Sequence, residues 1–259
     1  MTDNTERFTG RAEDYDLYRQ RYPAEEVLER LRAWCGLDPS WLVADIGAGT
    51  GMLAEVLLEG GNRVLAIEPN ADMRAACERL RTRWPRLEVF DATAEATGLP
   101  DGSIDMVAAG RAFHWFDKQR APAEFRRILK PDGWVALVSL GRSHDSTDPA
   151  FREQIADFER LLSEHGTDYK YTRSGYRVHD NLLEVFGPEA ELHQEHLPGT
   201  QQLDWPGFRG QMMSLSVVPR DDHPNYAAFQ RELRAYFDRH ADDGILTMPT
   251  TCYVTAARL

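Results

Sequence analysis

The chain has 259 residues, a formal net charge of −12 at pH 7, 42% hydrophobic residues and 28% charged residues, a balance typical of globular domains. The acidic excess argues against nucleic acid as a partner, because a negative surface repels phosphate backbones. No apolar run approaches the length of a membrane span, the start of the chain lacks a signal peptide, and Cys35, Cys77 and Cys252 fit neither a disulfide framework nor a zinc motif, so we expect a cytoplasmic protein with no membrane partner and no metal.

The segment at 1–40 predicts a loop followed by a helix. Pro23 suits the first turn of that helix, and Gly36 suits its end. Ahead of the helix, tyrosines and arginines are dense in the sequence YDLYRQRYP at 15–23. Such a run either anchors the chain on its own surface or folds over a ligand.

Residues 42–51, LVADIGAGTG, predict a short buried strand, a glycine turn and the start of a helix. A glycine turn lets backbone approach a ligand closely, and a helix N-terminus presents unpaired N–H groups to it. In an open α/β sheet, ligands bind at this edge. The dinucleotide fingerprint would place its third glycine at position 52, where the chain has Met52, so the pattern does not favour NAD.

Strands and helices continue to alternate after this turn. Further buried strands are predicted at 63–67, 87–90, 104–109 and 135–140, with amphipathic helices between them. This order predicts a doubly wound parallel sheet. Glu68 follows the second strand directly, a position from which an acidic side chain can accept hydrogen bonds from two ribose hydroxyl groups.

The glycine turn resembles motif I of the class I methyltransferases that depend on S-adenosylmethionine (SAM), since the acidic Asp45 precedes Gly47, Gly49 and Gly51. The stretch GRAFHWFD at 110–117 is similar to the "A.A.HWF" motif of a small-molecule subgroup that includes trans-aconitate methyltransferase-like enzymes. The resemblance covers about the first 140 residues. Other stretches similar to the family are YDLYRQRYP at 15–23, LPDGS at 99–103 and LKPDG at 129–133, in which Asp132 replaces a glycine.

The resemblance implies an α/β fold, a Rossmann-like doubly wound sheet of seven strands with strand seven antiparallel and a helical lid. Residues 191–197 are the expected sixth strand. We expect one methyltransferase domain over 1–259, with these parts: an N-terminal cofactor cover at 1–40, a SAM-binding core at 41–140, a helical lid at 141–186 and 198–240, and a closing strand at 244–259.

The same resemblance implies SAM as the cofactor and assigns residues to it. Asp91, after the third strand, would lie near the adenine amino group. His114, just after the fourth strand, is the candidate general base, although it could equally pack on Trp115. The expected substrate pocket contains Tyr15, Trp115 and Phe116. The expected cofactor-binding residues are Tyr18, Arg19, Asp45, Gly47, Ala48, Gly49, Gly51, Glu68, Pro69, Met73, Asp91, Ala92 and Arg111.

Methyl transfer from a sulfonium needs mainly proximity and alignment, so few catalytic side chains are required. We expect a small-molecule acceptor, with a carboxylate or hydroxyl favoured, and a monomer or homodimer. Two alternatives stay open: a SAM enzyme of another type, such as a cyclase or carboxyl-transfer variant, or a nucleotide-binding module, including an NAD enzyme. Aromatic and flexible apolar residues of the lid are expected to enclose the acceptor: Phe151, Phe158, Tyr169, Tyr171, Tyr176, Trp205, Phe208, Met212 and Met213.

Overall fold

A computed structural model describes residues 12–143, 146–167 and 182–259. Its centre is a seven-stranded sheet in the order β3-β2-β1-β4-β5-β7-β6. The strands are β1 Leu42–Ile46, β2 Arg63–Ile67, β3 Leu87–Phe90, β4 Ile104–Gly110, β5 Leu129–Arg142, β6 Glu191–Leu203 and β7 Leu246–Arg258.

The first five strands run parallel, and β7 pairs antiparallel with both β5 and β6. The predicted Rossmann-like sheet with an antiparallel seventh strand is therefore confirmed. Strand β1 lies in the middle, where Val43, Ala44 and Ile46 are fully buried. Such near-continuous apolar strands are expected where helices cover both faces of a parallel sheet.

Helices cover both faces of this sheet. On one face, α2 and α3 pack against Val43 and Met106, and on the other, α5 packs against Ala44 and Val107. The helices are α1 Ala12–Tyr18, α2 Ala24–Cys35, α3 Met52–Glu59, α4 Ala71–Arg79, α5 Arg120–Ile128, α6 Pro149–His165, α7 Leu182–Phe186, α8 Trp205–Met213 and α9 Tyr226–His240.

Local signals set several of these boundaries. Gly36 ends α2 in the left-handed conformation, with φ 68°, and the Asn70 side chain caps α4 by accepting from the N–H groups of Asp72 and Met73. Asp132 has φ 66°, the conformation for which the related motif uses glycine. Helix α1 was not expected, because its sequence predicted a loop; it forms where it contacts α4 and α8.

The lid, defined here as α6, α8 and α9, has a hydrophobic interior of its own. Phe158, Phe208 and Phe229 meet in that interior with Leu246 and Met248 of β7. The predicted lid boundaries need two corrections. Residues 198–203 continue β6, because they pair with β7 up to Leu203 and Leu246.

The second correction concerns α7. Leu182 and Phe186 pack with Phe125 on the α5 face of the sheet, so this helix is not part of the lid. Its amphipathic pattern predicted a buried face but not the surface that buries it. The predicted lid residues Tyr169, Tyr171 and Tyr176 lie outside the described residues. Among the helices that are described, none is long and apolar enough to cross a membrane.

Candidate functional site

A cleft opens at the carboxyl ends of β1, β2 and β4, the edge at which parallel α/β sheets bind ligands. Tyrosines of the N-terminal segment, the glycine turn and the residues after β4 form its walls. The cleft is lined by Tyr15, Tyr22, Gly47, Ala48, Gly49, Met52, Leu53, Glu68, Pro69, Asn70, Met73, Thr93, Ala94, Glu95, Gly110, Arg111, Ala112, Trp115 and Phe116.

Most of the predicted site residues meet in this cleft, but not all of them do. The predicted residues that line it are Tyr15, Gly47, Ala48, Gly49, Glu68, Pro69, Met73, Arg111, Trp115 and Phe116. The predicted residues that lie outside its lining are Tyr18, Arg19, Asp45, Gly51, Asp91, Ala92 and His114.

All three glycines of the turn have positive φ, and at two of them close packing also excludes a side chain. A Cβ at Gly47 would lie 2.7 Å from the Cβ of Ala112, and one at Gly51 would lie 2.6 Å from Leu80 Cδ1. Both positions therefore exclude a side chain because of close packing. Gly49 has φ 59° and open space where a Cβ would be, so at this position the conformation needs glycine and the backbone borders the cleft.

The N–H groups of the turn bond to protein acceptors instead of facing a ligand. Gly47 and Ala48 both donate to the Ile67 carbonyl, at 2.8 and 3.1 Å. Gly49 donates to Glu68 Oε2 at 2.8 Å. These three groups precede α3, so they do not test the expectation that the N–H groups at the start of that helix face a ligand. The turn shapes the cleft without offering these three donors to a phosphate.

Glu68 lies at the end of β2 and is only 7% exposed. Its Oε1 accepts from the Asn70 N–H at 2.8 Å, while Oε2 accepts from Gly49. Burial raises the pKa of Glu68, while these two donors act in the opposite direction. Because a carboxylate oxygen has two lone pairs, each oxygen retains capacity for one more donor from the cleft.

Asp45 lies at the end of β1, beneath the glycine turn, and is 1% exposed. Neither of its carboxylate oxygens has a side-chain partner among the described residues, and the backbone N–H of Ala54 is the donor that acts on this carboxylate. Burial raises the pKa of this carboxyl to about 8. A buried acid in this state is stabilised in its ionised form by a nearby positive charge. Asp45 therefore does not form the wall of the cleft, but it can become a negative charge beneath the cleft when a cation binds there.

The third acidic group of the cleft is Glu95, which the sequence reasoning missed. Asp91 was expected beside the adenine, but its side chain is 68% exposed and forms an ion pair with Arg74 at 2.9 Å. The chain then turns through an isolated bridge between Thr93 and Ala96, which brings Glu95 to the cleft. A rule based on the end of a strand cannot foresee this turn.

The N-terminal segment covers the cleft with Tyr15 and Tyr22. Arg19 stacks its guanidinium on the Tyr15 ring at 4.7 Å. Tyr18, which was expected to bind the cofactor, instead packs on Gly210 of α8, where a methyl group would overlap its ring. Tyr22 belongs to the stretch at 15–23 that resembles the family, but the sequence did not single it out as a site residue.

The motif after β4 contributes Trp115 and Phe116 to the wall. His114, the expected base, has its ring 4.5 Å from the Trp115 ring and does not line the cleft. Its role as a base therefore stays a prediction. The lid residues expected to enclose an acceptor are also absent from the lining within the described ranges, because Phe158, Phe208 and Met212 form the lid interior.

Within 12–143, 146–167 and 182–259, no three or more His, Cys, Asp or Glu residues form a group that could hold a metal ion. The cleft nevertheless has a strongly acidic character. Glu68 and Glu95 line it, and Asp45 lies buried at the end of β1. The cation in its lining, Arg111, donates to the carbonyl oxygens of Leu140 and Gln20.

Part of the chain matches a known protein family. Residues 44–137 match the family model described as "Methyltransferase domain". An uncharacterised methyltransferase of Mycobacterium tuberculosis is 36% identical over 124 residues, 48% of this chain and 48% of that protein. One from Geobacillus kaustophilus is 33% identical over 155 residues, 56% of this chain and 66% of that protein. The chain thus spans about half the length of the curated relatives that it matches first.

Solved structures extend the likeness to the whole fold. A structure described as a type II methyltransferase from Anaeromyxobacter dehalogenans has a TM-score of 0.62 and 25% identity, covering 93% of this chain and 97% of that one. A phosphoethanolamine N-methyltransferase of Haemonchus contortus, solved with S-adenosylhomocysteine, shares the fold at a TM-score of 0.52 and 15% identity, covering 95% of this chain and 56% of that one.

Proposed function

We propose that this chain, whose residues 44–137 form a methyltransferase domain, is a SAM-dependent methyltransferase with a small-molecule acceptor. SAM is the cofactor of that domain. The observation that carries the assignment is the buried Asp45 carboxyl, which has no cationic or other side-chain partner among the described residues. Together with Glu68 and Glu95, it gives the cleft an acidic character suited to a cationic ligand that also carries hydroxyl groups.

The residues present fit this cofactor. Glu68 offers two oxygen atoms to ribose hydroxyl groups, and Met73, which is 3% exposed, provides an apolar surface beside it for a base. Asp45 favours the positively charged end of the molecule. When bound, the cofactor supplies an electrophilic methyl group. The tasks left to the chain are to hold the acceptor in line and to exclude water.

The acceptor end is best placed beside the residues after β4, where Tyr15, Tyr22, Trp115 and Phe116 provide aromatic walls. A pocket of this kind suits a small and partly apolar molecule. A carboxylate acceptor needs no base, which agrees with a cleft that His114 does not line. A hydroxyl acceptor would need one, and His114 is the sequence-based candidate for that role.

The dinucleotide alternative is disfavoured by two observations. The N–H groups of Gly47, Ala48 and Gly49 are bonded to protein acceptors, whereas a pyrophosphate site requires them. In addition, the acids around the cleft repel a diphosphate. We further propose that the chain acts as one methyltransferase domain in the cytoplasm, as a monomer or homodimer.

The direct experiment is a calorimetric titration of the protein with SAM, S-adenosylhomocysteine and NAD. Glu68→Ala removes two acceptor atoms of a buried carboxylate and should weaken SAM binding by on the order of 2–3 kcal/mol. Glu88→Ala is the matched control, because Glu88 pairs with Arg63 on the surface. Binding of SAM to Glu68→Ala as tight as to the parent, or a preference for NAD, would refute the assignment.

A second titration compares the two candidate acids after β3. Glu95→Ala should weaken SAM binding more than Asp91→Ala, because Glu95 lines the cleft and Asp91 does not. The reverse order would restore the interpretation from the sequence. A screen of carboxylates, phenols, thiols and amines with methyl-labelled SAM then identifies the acceptor class. Turnover of a macromolecule alone would contradict the small-molecule proposal.

A further inference from the structure

Arg111, which directly follows β4, has an unusual environment. Its φ of 56° is a left-handed conformation that disfavours residues other than glycine, asparagine and aspartate. In the described parts of the chain, no carboxylate forms an ion pair with it. A strained backbone that carries a cation without a counter-ion needs specific contacts to keep it in place.

Those contacts join three separate parts of the molecule. Nε donates to the Leu140 carbonyl of β5 at 2.8 Å, and Nη2 donates to the Gln20 carbonyl at 2.8 Å. The guanidinium lies 4.8 Å from the centre of the Tyr22 ring, and it also bonds to the Tyr15 hydroxyl. One planar side chain therefore connects β4 and β5 to the N-terminal segment.

That segment crosses the cleft. We call residues 12–22 the strap. Its helix α1 contacts α4 on one side and α8 of the lid on the other. Between these two supports, Tyr15 and Tyr22 of the strap line the cleft. The strap is thus held by Tyr18 on Gly210 and by the contacts of Arg111 with Tyr15, Gln20 and Tyr22.

We propose that Arg111 is a positioning residue that latches the strap over the cleft, so that the strap encloses the cofactor and slows its release. This inference rests on the proposed function. The sequence reasoning expected Arg111 to bind the cofactor itself. Two of its three nitrogens instead face carbonyl oxygens, so its main effect on the cofactor is exerted through the strap.

The latch depends on the planar, forked shape of the guanidinium group, which can donate to two acceptors at once. Lysine keeps the positive charge, but a single ammonium cannot span both carbonyls and stack on Tyr22 at the same time. Arg111→Lys should therefore open the strap as Arg111→Met does. If the charge alone acted on the cofactor, lysine would preserve binding and methionine would not.

Tyr18→Ala provides an independent way to loosen the strap, because Tyr18 contacts Gly210 and not the cleft. Arg111→Lys and Tyr18→Ala should each speed the dissociation of S-adenosylhomocysteine about tenfold, the change expected when one or two hydrogen bonds or a packed ring are lost. The double variant should be little faster than either single one, since both release the same segment.

Trypsin tests the same idea without any cofactor. The strap contains Arg19 and Arg21, and cleavage there should accelerate in both variants while the rest of the chain keeps its parental pattern and circular dichroism. The matched control is Arg126→Lys, which alters another arginine bonded to a carbonyl, that of Phe186, away from the cleft. It should change neither readout.

Two results would overturn the latch. One is parental cleavage at Arg19 and Arg21 in Arg111→Lys. The other is faster dissociation in Arg111→Lys while Tyr18→Ala behaves as the parent, which would assign Arg111 to direct cofactor contact. Because proteolysis is measured without cofactor, failure of the latch is distinct from failure of the proposed function.

Discussion

Two aspartates that are largely shielded from solvent, one beneath the cleft and one in the lid, have different environments. Asp45 is 1% exposed and has no side-chain partner in the described residues. Asp157 of α6 has a side chain that is 12% exposed and accepts from Arg160, Arg239 and His240 at 2.8 to 2.9 Å. The sequence predicted a role for Asp45, which precedes the glycine turn, but carried no signal for Asp157.

The difference separates a structural role from a functional one. Burial would raise the pKa of Asp157, but its hydrogen bonds from Arg239 and His240 lower it, so this carboxylate stabilises the packing of α6 on α9. Asp45 has its pKa raised to about 8. An unpaired buried acid destabilises the empty protein, and such groups persist where a ligand uses them.

Of the substitutions that test this comparison, Asp157→Ala is expected to have the largest effect on stability. Asp157→Ala leaves Arg160, Arg239 and His240 without their shared partner and should destabilise the protein by about 3 kcal/mol, because three hydrogen bonds of about 1 kcal/mol each are lost together. Urea denaturation measures this. The matched control, Asp238→Ala, breaks the exposed pair with Arg234 and should change stability by less than about 1 kcal/mol. Equal effects would contradict the structural role of Asp157.

The second largest expected effect concerns Asp45, whose buried carboxyl makes the folded protein less stable as the pH rises. The folded pKa of Asp45 is raised from 3.8 to about 8, so the folded state holds a proton that the unfolded state has lost between these values. Parental stability should therefore fall as pH rises from 4 to 8, by on the order of 2 kcal/mol after allowing for water penetration. Asp45→Asn should remove this fall. Parallel stability curves for parent and variant, measured by denaturation at several pH values, would refute the unpaired state.

The smallest expected effect on stability concerns Glu124, a carboxylate whose oxygens accept hydrogen bonds from the protein. It accepts from the N–H and hydroxyl of Thr97 and from Arg127, and these bonds, Arg127 first, lower its pKa to about 2. A lowered pKa contributes stability above the unfolded value near 4.5, lost as pH falls toward 2. Glu124→Gln should lose about 1 kcal/mol at pH 7 and almost nothing at pH 2.

The control for Glu124 is Glu78→Gln, because Glu78 pairs with Arg81 on the surface and should have little effect at any pH. A loss for Glu124→Gln that persists at pH 2 would mean that packing and not charge supports the turn after β3. That turn carries Glu95, so the same variant should also weaken SAM binding slightly.

The sequence predicted the elements that local patterns determine. The apolar runs of β1 to β4, the glycine turn and the boundaries of α2 and α9 all follow from neighbouring residues, for example Gly36 at the end of α2. Glu68 was found because the end of a parallel strand is a fixed position relative to a ligand. These are statements about short segments, and the structure confirms the segments.

What remained hidden depends on contacts between distant residues. Glu95 reaches the cleft through a turn between Thr93 and Ala96, and Tyr18 packs on Gly210, a residue far along the chain. Likewise, the amphipathic pattern of α7 does not say that Phe125 is its neighbour. Periodicity shows that a side chain is buried, but only the tertiary fold shows what buries it.

The central claim is that Asp45 becomes ionised when a positively charged ligand binds in the cleft. Proton release on SAM binding tests this claim most directly. At pH 7 the Asp45 carboxyl, with its pKa at about 8, is mostly protonated, and a bound cation should lower that pKa and release roughly one proton. Calorimetric titrations in two buffers with different ionisation enthalpies measure the release. We predict a buffer-dependent heat for the parent and a much smaller dependence for Asp45→Asn; tight SAM binding with no proton release by the parent would contradict the claim.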